Sequence, residues 1–343
     1  MLKFLNTHFR FSLNAGQSPT HFNLVRYLRE QGWHSSRFNW QAKFSDKNLQ
    51  FNLQAAQCLE YKHLLARLIA HYCPDVMPLT YCINDKNWPI ILGKIADEFN
   101  CSSESTSVWI LKPALLNNGE AIKIFRNLAD VENHFLGSAR FGGEHVLQRY
   151  ITNPHLLRPP AGHKYSIRMF VIFTNYAGVY LYPQGYFNVA LHPFEENQFA
   201  DLRSHLTNEH LHHDEANVVQ IPAWRFDFFD KLYPSIKQIT TITTKALQQQ
   251  YPQAFIVEKE KTLAIFGFDF MVDSNQRVWL LEANHGPCFP ISEDHPLQKY
   301  LYYDFWQAFI KAFVLPIASL SDTTNSEKLF DLIQGNFTWL ERT

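Results

Sequence analysis

Apolar and polar positions along the chain repeat with two periods, and each switch between them marks an element. HFRFSLN alternates Phe9, Phe11 and Leu13 against Arg10 and Ser12, the period of two of a half-buried strand. SPTHFNLVRYLREQG predicts a helix with Ser18 as its cap, Pro19 as its first residue and Gly32 at its end. In YKHLLARLIAHYCP the residues Leu64, Leu65, Leu68, Ile69 and Tyr72 recur at helical spacing. EFNCSSESTS, residues 98–107, is polar and serine-rich and reads as a loop or linker. Three short strands are expected next, in VWILKP, AIKIFRN and HVLQRYI, with LADVENHFL as a helix between the last two.

KYSIRMFVIF and GVYLYPQGYF, joined by TNYA, predict an antiparallel hairpin. LTNEHLHHDEANVVQ reads as a polar loop. DFFDKLYPSIKQITTITTKALQQQYP reads as a helix that continues through Pro234. FGFDFMVDSNQRVWLLEANHGPCFP forms a second hairpin, and a helix from about Leu297 to Val314 closes the fold. WQAFIKAFVLPIASL is apolar but carries Lys311 and Pro316, which suits a buried helix rather than a membrane span. No internal repeat is visible. The fold class is α+β with mainly antiparallel sheet.

Composition narrows the function classes. The chain has 343 residues, 46% of them hydrophobic, with 29 Phe and 15 Tyr, ample for an aromatic core. Lys+Arg at 31 and Asp+Glu at 32 leave no basic excess for nucleic acid. The start of the chain lacks the apolar block of a secretion signal. Five Cys without a CxxC pattern suit reduced thiols and a cytoplasmic setting.

The chemistry concentrates in the last hairpin, where Asp269, Glu282 and Asn284 interrupt an apolar stretch. Buried carboxylates need partners. A turn centred on Ser274 and Asn275 sets Asp269 opposite Leu280, with Glu282 diagonal to it and Asn284 following on the same face. Hard oxygen ligands converging in this way suit Mg²⁺; a structural ion pair with an arginine is the other reading. Lys112, before the turn that holds Gly119, can reach phosphate oxygens or lie in solvent. The period of two puts Lys164, Ser166 and Arg168 on one face of their strand, opposite Tyr165, Ile167 and Met169. That face meets an anion, or it is the exposed side of an edge strand. His205, His210, His212 and His213 could hold zinc or belong to a solvated loop, since no zinc spacing matches. Neither a P-loop nor a GxGxxG motif is present.

Five separated motifs, VWILKP, HVLQRYITNPHLL, GHKYSIRMFVIF with VYLYPQG, HLTN, and FGFDFMVDSNQRVWLLEAN, occur in this order over most of residues 55–290. Together they resemble the tubulin-tyrosine ligase and ligase-like family of ATP-grasp enzymes. The resemblance implies an ATP-grasp fold with an N-terminal α/β domain over 1–59, a central domain over 60–152 and a C-terminal domain over 153–343. It implies a carboxylate–amine ligase that uses ATP and Mg²⁺ to join an amino acid to a peptide or protein carboxylate through an acyl phosphate. A monomer is expected, with no nucleic-acid or membrane partner. By position, Lys62, Lys112 and Lys164 match the lysines that approach the nucleotide. Gln148, Arg149, Tyr150 and Ile151 match the adenine hinge, and Thr207 and Asn208 match a bordering loop. Asp269, Glu282 and Asn284 match the metal ligands. Arg168 matches the arginine at the γ-phosphate and reacting carboxylate, and with Lys112 and Glu282 it makes up the implied catalytic set.

The sequence also departs from that pattern. Ser166 stands where the family usually has Asp, and Asn188 where it has Arg. Asn118 and Ala121 replace a basic residue and a glycine in the turn. Two of these changes remove positive charge that an acidic tubulin tail would need. They predict either an altered acceptor, such as another carboxylate or a small carboxylic acid, or a nucleotide-binding scaffold without turnover.

Overall fold

A computed structural model describes residues 9–14, 18–40, 42–45, 49–100, 107–138, 140–157, 162–212, 215–258, 260–287, 289–314 and 336–341. The N-terminal strand β1 (Arg10–Asn14) leads into helix α1 (Pro19–Glu30), whose first turn is closed by Ser18 Oγ accepting from the His21 N–H. Strands β2 (His34–Ser35) and β3 (Ala42–Ser45) flank β1 in parallel, giving the small α/β unit expected there.

Helices α2 (Leu53–Glu60) and α3 (Lys62–Tyr72) follow. A four-stranded antiparallel sheet is then built from β4 (Thr80–Ile83), β5 (Trp109–Pro113), β6 (Lys123–Phe125) and β7 (His145–Arg149), in the order β4-β7-β5-β6. Helices α4 (Trp88–Asn100) and α5 (Leu128–Leu136) cover it around Ile95, Trp109, Val131 and Leu147. Most of the serine-rich segment at 98–107 lies outside the described residues.

The larger sheet is antiparallel throughout. Strands β8 (Tyr165–Thr174) and β9 (Val179–Ala190) form the first predicted hairpin. The segment read as a polar loop instead contains β10 (His210–His212), β11 (Glu215–Ala216) and β12 (Val218–Pro222), and β12 pairs with β9. Pairing overrides weak local propensity here, because Val218 and its neighbours complete the edge of an existing sheet. Helix α6 (Phe229–Gln250) runs through Pro234, as expected. Strands β13 (Leu263–Val272) and β14 (Val278–His285) form the second hairpin, and β15 (Thr338–Glu341) adds to β9. Strand order is β12-β9-β8-β13-β14. The closing helix α7 (Tyr303–Phe309) is extended by π-helical turns on both sides, Gln298–Tyr302 and Ile310–Val314.

The two faces of this sheet carry different loads. One packs entirely on α2, α3 and α6, through Ile167, Val171, Phe268 and Phe270. The other is apolar at one end, where Phe170, Ile172, Leu263 and Ile265 meet α1 and α7. At its other end the same face is polar and forms the floor of a cleft.

Candidate functional site

That polar end begins with β8. Tyr165, Ile167 and Met169 are buried in the core, while Lys164, Ser166 and Arg168 line the cleft. The strand lies between β9 and β13, so the edge-strand alternative does not hold. Its cations are buried and need counter-groups.

Arg168 finds one on the neighbouring strand. Its Nε and Nη2 donate to Asp269 Oδ1 and Oδ2 at 2.5 and 2.7 Å, the two-pronged geometry of a guanidinium on a carboxylate. Room for the guanidinium comes from Gly267: a Cβ there would lie 2.8 Å from Arg168 Cδ and Nη1. Burial works against the Arg168 charge, but Asp269 outweighs it and the group is held firmly protonated.

The hairpin register differs from the predicted one. Asp269 pairs directly with Glu282, while Phe270 pairs with Leu280, so Leu281 is an extra residue in a β-bulge. On the core side β14 contributes Val278 and Leu280, and beyond the bulge Ala283. Glu282 and Asn284 thus reach the cleft only because the bulge shifts the alternation by one. Leu280 faces the core and does not oppose Asp269. Strict alternation missed this, since a bulge leaves no sign in an apolar run.

Asn284 Nδ2 donates to Asp269 Oδ2 at 3.1 Å and to Glu282 Oε1 at 3.2 Å. Burial raises the Asp269 carboxyl to about 6, with Arg168 opposing the rise and the Glu282 charge adding to it. Burial would raise Glu282 too, but Lys62 and Lys112 pull it down to about 2; Lys62 Nζ is 3.9 Å from Glu282 Oε2. Two adjacent carboxylates, Asp269 buried and Glu282 half-buried, and an amide fit a hard divalent cation, which would relieve their repulsion. The Asn284 amide must turn over to offer its oxygen, and Asp269 must share lone pairs with Arg168.

The hinge end is different. Lys112 Nζ donates to Gln148 Oε1 at 2.9 Å, and Gln148 Nε2 donates to Thr80 at 2.9 Å. Lys164 Nζ donates to the Tyr150 hydroxyl at 2.8 Å. Burial lowers Lys112 to about 8, with Glu282 and Asp269 opposing the fall and Lys62 adding to it, and burial together with the Lys112 charge lowers Lys164 to about 7. Neither forms an ion pair among the described residues. Lys62 Nζ is anchored on the Leu116 carbonyl at 2.7 Å. Arg149 and Ile151 line the same cleft. The Gln148 side chain is occupied by its two hydrogen bonds.

The turn after β5 closes the cleft. Asn118, Gly119 and Ala121 all have positive φ, at 55°, 75° and 54°. A Cβ on Gly119 would lie 2.8 Å from Leu211, so the turn rests on the segment that carries Thr207 and Asn208. Thr207 Oγ1 donates to Ser166 Oγ at 2.9 Å, and Gln220 Nε2 donates to Asn188 Oδ1 at 3.1 Å. Ser166 and Asn188 are register partners, as are Asn188 and Gln220, giving an uncharged polar row across β8, β9 and β12.

The structure therefore brings all thirteen sequence-predicted site residues to one cleft. Sequence reasoning missed Tyr186, Gln220 and the position of His205. The zinc reading of His205 fails because both ring nitrogens are engaged, with Tyr150 and with the Gln198 carbonyl. His213 lies outside the described residues, and no cluster of three or more His, Cys, Asp or Glu side chains able to hold a metal is found among the described ones. No helix among the described residues is long and apolar enough to cross a membrane.

Residues 47–322 match the model of the tubulin-tyrosine ligase family. The chain belongs to that family. Similar curated proteins include a probable tubulin polyglutamylase of Mus musculus, 28% identical over 74% of this chain and 48% of its own length. Tubulin glycylase 3C of Tetrahymena thermophila is 24% identical over 56% of this chain and 19% of its own length. An inactive polyglycylase of Homo sapiens is 27% identical over 54% of this chain and 32% of its own length. The chain thus spans less than half the length of these relatives. Family membership agrees with the α+β architecture of a large antiparallel sheet facing a smaller one across a cleft.

Proposed function

We propose that this family member is an ATP-dependent carboxylate–amine ligase that joins an amino acid to a peptide or protein carboxylate. The observation that carries the reading is the division of charge in one cleft: buried lysines outside any direct ion pair among the described residues at one end, and paired carboxylates opposite. Lys112 and Lys164 would receive phosphate oxygens, and the turn at Gly119 would cover them. Asp269, Glu282 and Asn284 would hold Mg²⁺, which neutralises charge on the phosphates when bound. Arg168, fixed by Asp269, points a permanent charge at the place where a phosphoryl group would transfer. The acceptor carboxylate would take the γ-phosphoryl group as ADP leaves. The amine would then displace phosphate and form the amide, losing its proton to solvent. This chemistry depends chiefly on positioning and charge neutralisation, and the cleft is built for both.

The uncharged row Ser166–Asn188–Gln220 favours a second reading, a nucleotide-binding protein without turnover. Calorimetric titration with a non-hydrolysable ATP analogue, with and without Mg²⁺, tests the nucleotide site, and binding should strengthen with Mg²⁺. A screen of amino acids and carboxylate acceptors for ADP release then separates the readings. Absence of binding in both conditions would overturn them together.

A further inference from the structure

Three hydrogen bonds run in single file from the segment after β9 to the cleft floor. His205 Nε2 lies 3.1 Å from the Gln198 carbonyl oxygen, His205 Nδ1 lies 2.9 Å from the Tyr150 hydroxyl, and that hydroxyl lies 2.8 Å from Lys164 Nζ. One end fixes the direction of the whole chain. A carbonyl oxygen only accepts, so Nε2 carries a proton. A neutral imidazole then has a bare Nδ1, which accepts the Tyr150 O–H. With its proton committed, the Tyr150 oxygen accepts from Lys164. An imidazolium would reverse the middle bond, but burial, aided by Lys164, pushes His205 down to about 4.

The three residues come from three parts of the fold. Tyr150 follows β7 of the small sheet, Lys164 precedes β8 of the large one, and His205 ends the excursion between β9 and β10. All three are buried. The rings of Phe194 and Phe199 pack at 5.4 and 5.0 Å from the imidazole and keep water from it. Lys164 Nζ also sits 4.3 Å from the centre of the Tyr150 ring, so the ammonium is held over a phenol whose orientation His205 decides.

We propose that His205 is a positioning residue for the cleft: it turns the Tyr150 hydroxyl so that Lys164 is held by one N–H and presents the others to an anionic ligand. The inference rests on reading the cleft as a nucleotide site. It predicts that His205, whose two ring nitrogens are engaged by Tyr150 and the Gln198 carbonyl, governs nucleotide affinity through Tyr150.

The test is calorimetric titration with a non-hydrolysable ATP analogue and Mg²⁺ on wild type, His205→Ala, Tyr150→Phe and the double variant. Each single change should weaken binding about ten-fold, the scale of one lost hydrogen bond to a charged group. The double variant should be within about two-fold of either single one, because both break the same chain. His205→Asn, whose Oδ1 stands in for Nδ1 as acceptor, should recover most of the affinity. Losses that multiply, or unchanged affinity in His205→Ala, would overturn the proposal. Nitrogen-15 NMR of the wild-type imidazole offers a check that needs no variant to fold: an Nδ1-protonated ring or an imidazolium at neutral pH would also overturn it. Failure of the nucleotide reading would show as absent binding in wild type, whereas failure of this proposal shows in the variants or the tautomer.

Discussion

At the β13–β14 end of the cleft Arg168 has Asp269 and Glu282 has Lys62, whereas at the hinge end Lys112 and Lys164 have only Gln148 and Tyr150. The first end is half-buried and the second buried, so solvent compensates the lysines of the second even less. The first is a network whose charges largely compensate one another. The second bears the desolvation of two cations that no carboxylate pairs directly, with Glu282 and Asp269 acting on Lys112 only from a distance, a cost that a bound anion would offset. One end is thus organised before a ligand arrives, and the other is completed by it.

The largest effect is expected at the compensated end. Glu282→Gln keeps the shape but removes a charge that Lys62, Lys112 and the proposed cation share, and turnover should fall by about two orders of magnitude or more. A circular-dichroism melt close to wild type would show that the fold persists. Equal turnover would break the assignment of this end.

A variant at the other end should behave oppositely in the free protein. Lys164→Met removes a buried cation without a counter-charge, so it should raise the melting temperature of the ligand-free protein while weakening nucleotide binding. The sign follows from linkage. The folded-state lysine is depressed to about 7, below its unfolded value, so its penalty is complete below that point and fades as pH rises. The stability gain of Lys164→Met should therefore shrink between pH 7 and pH 9. A gain independent of pH would mean that Lys164 is already compensated in the free protein.

The smallest expected effect lies in the turn that bridges the two ends. Ala121 holds φ at 54°, where a Cβ crowds the backbone. Ala121→Gly should stabilise the protein by about 1 kcal/mol, read as a shift in the urea midpoint. A loss of stability would show that the entropy of the added glycine outweighs the relieved strain.

Much of this layout was legible from residue order. Alternation in KYSIRMFVIF separated Lys164, Ser166 and Arg168 from the core side, and Ser18 and Pro19 marked the start of α1. The ordered motifs indicated which residues share a cleft. Three features were not legible, each for a physical reason. Strand β12 forms because β9 offers it an edge, not because its own residues demand a strand. Helix α4 contains Pro89 and Gly93, which mask its apolar face in a local pattern. The partners of Arg168 and His205 depend on contacts over 101 and 55 residues of chain, which periodicity does not record.

Leu281 has a consequence for how this hairpin tolerates change in length. Because one unpaired residue resets the phase of β14, the tip and the site keep separate time. Residues inserted between Asn275 and Gln276 leave Glu282 and Asn284 pointing where they do, because pairing with β13 sets their phase. Loss of the single residue at 281 would remove only the surplus: Leu280 opposite Phe270 and Glu282 opposite Asp269 would then alternate without a bulge, and Glu282 and Asn284 would stay on the cleft side.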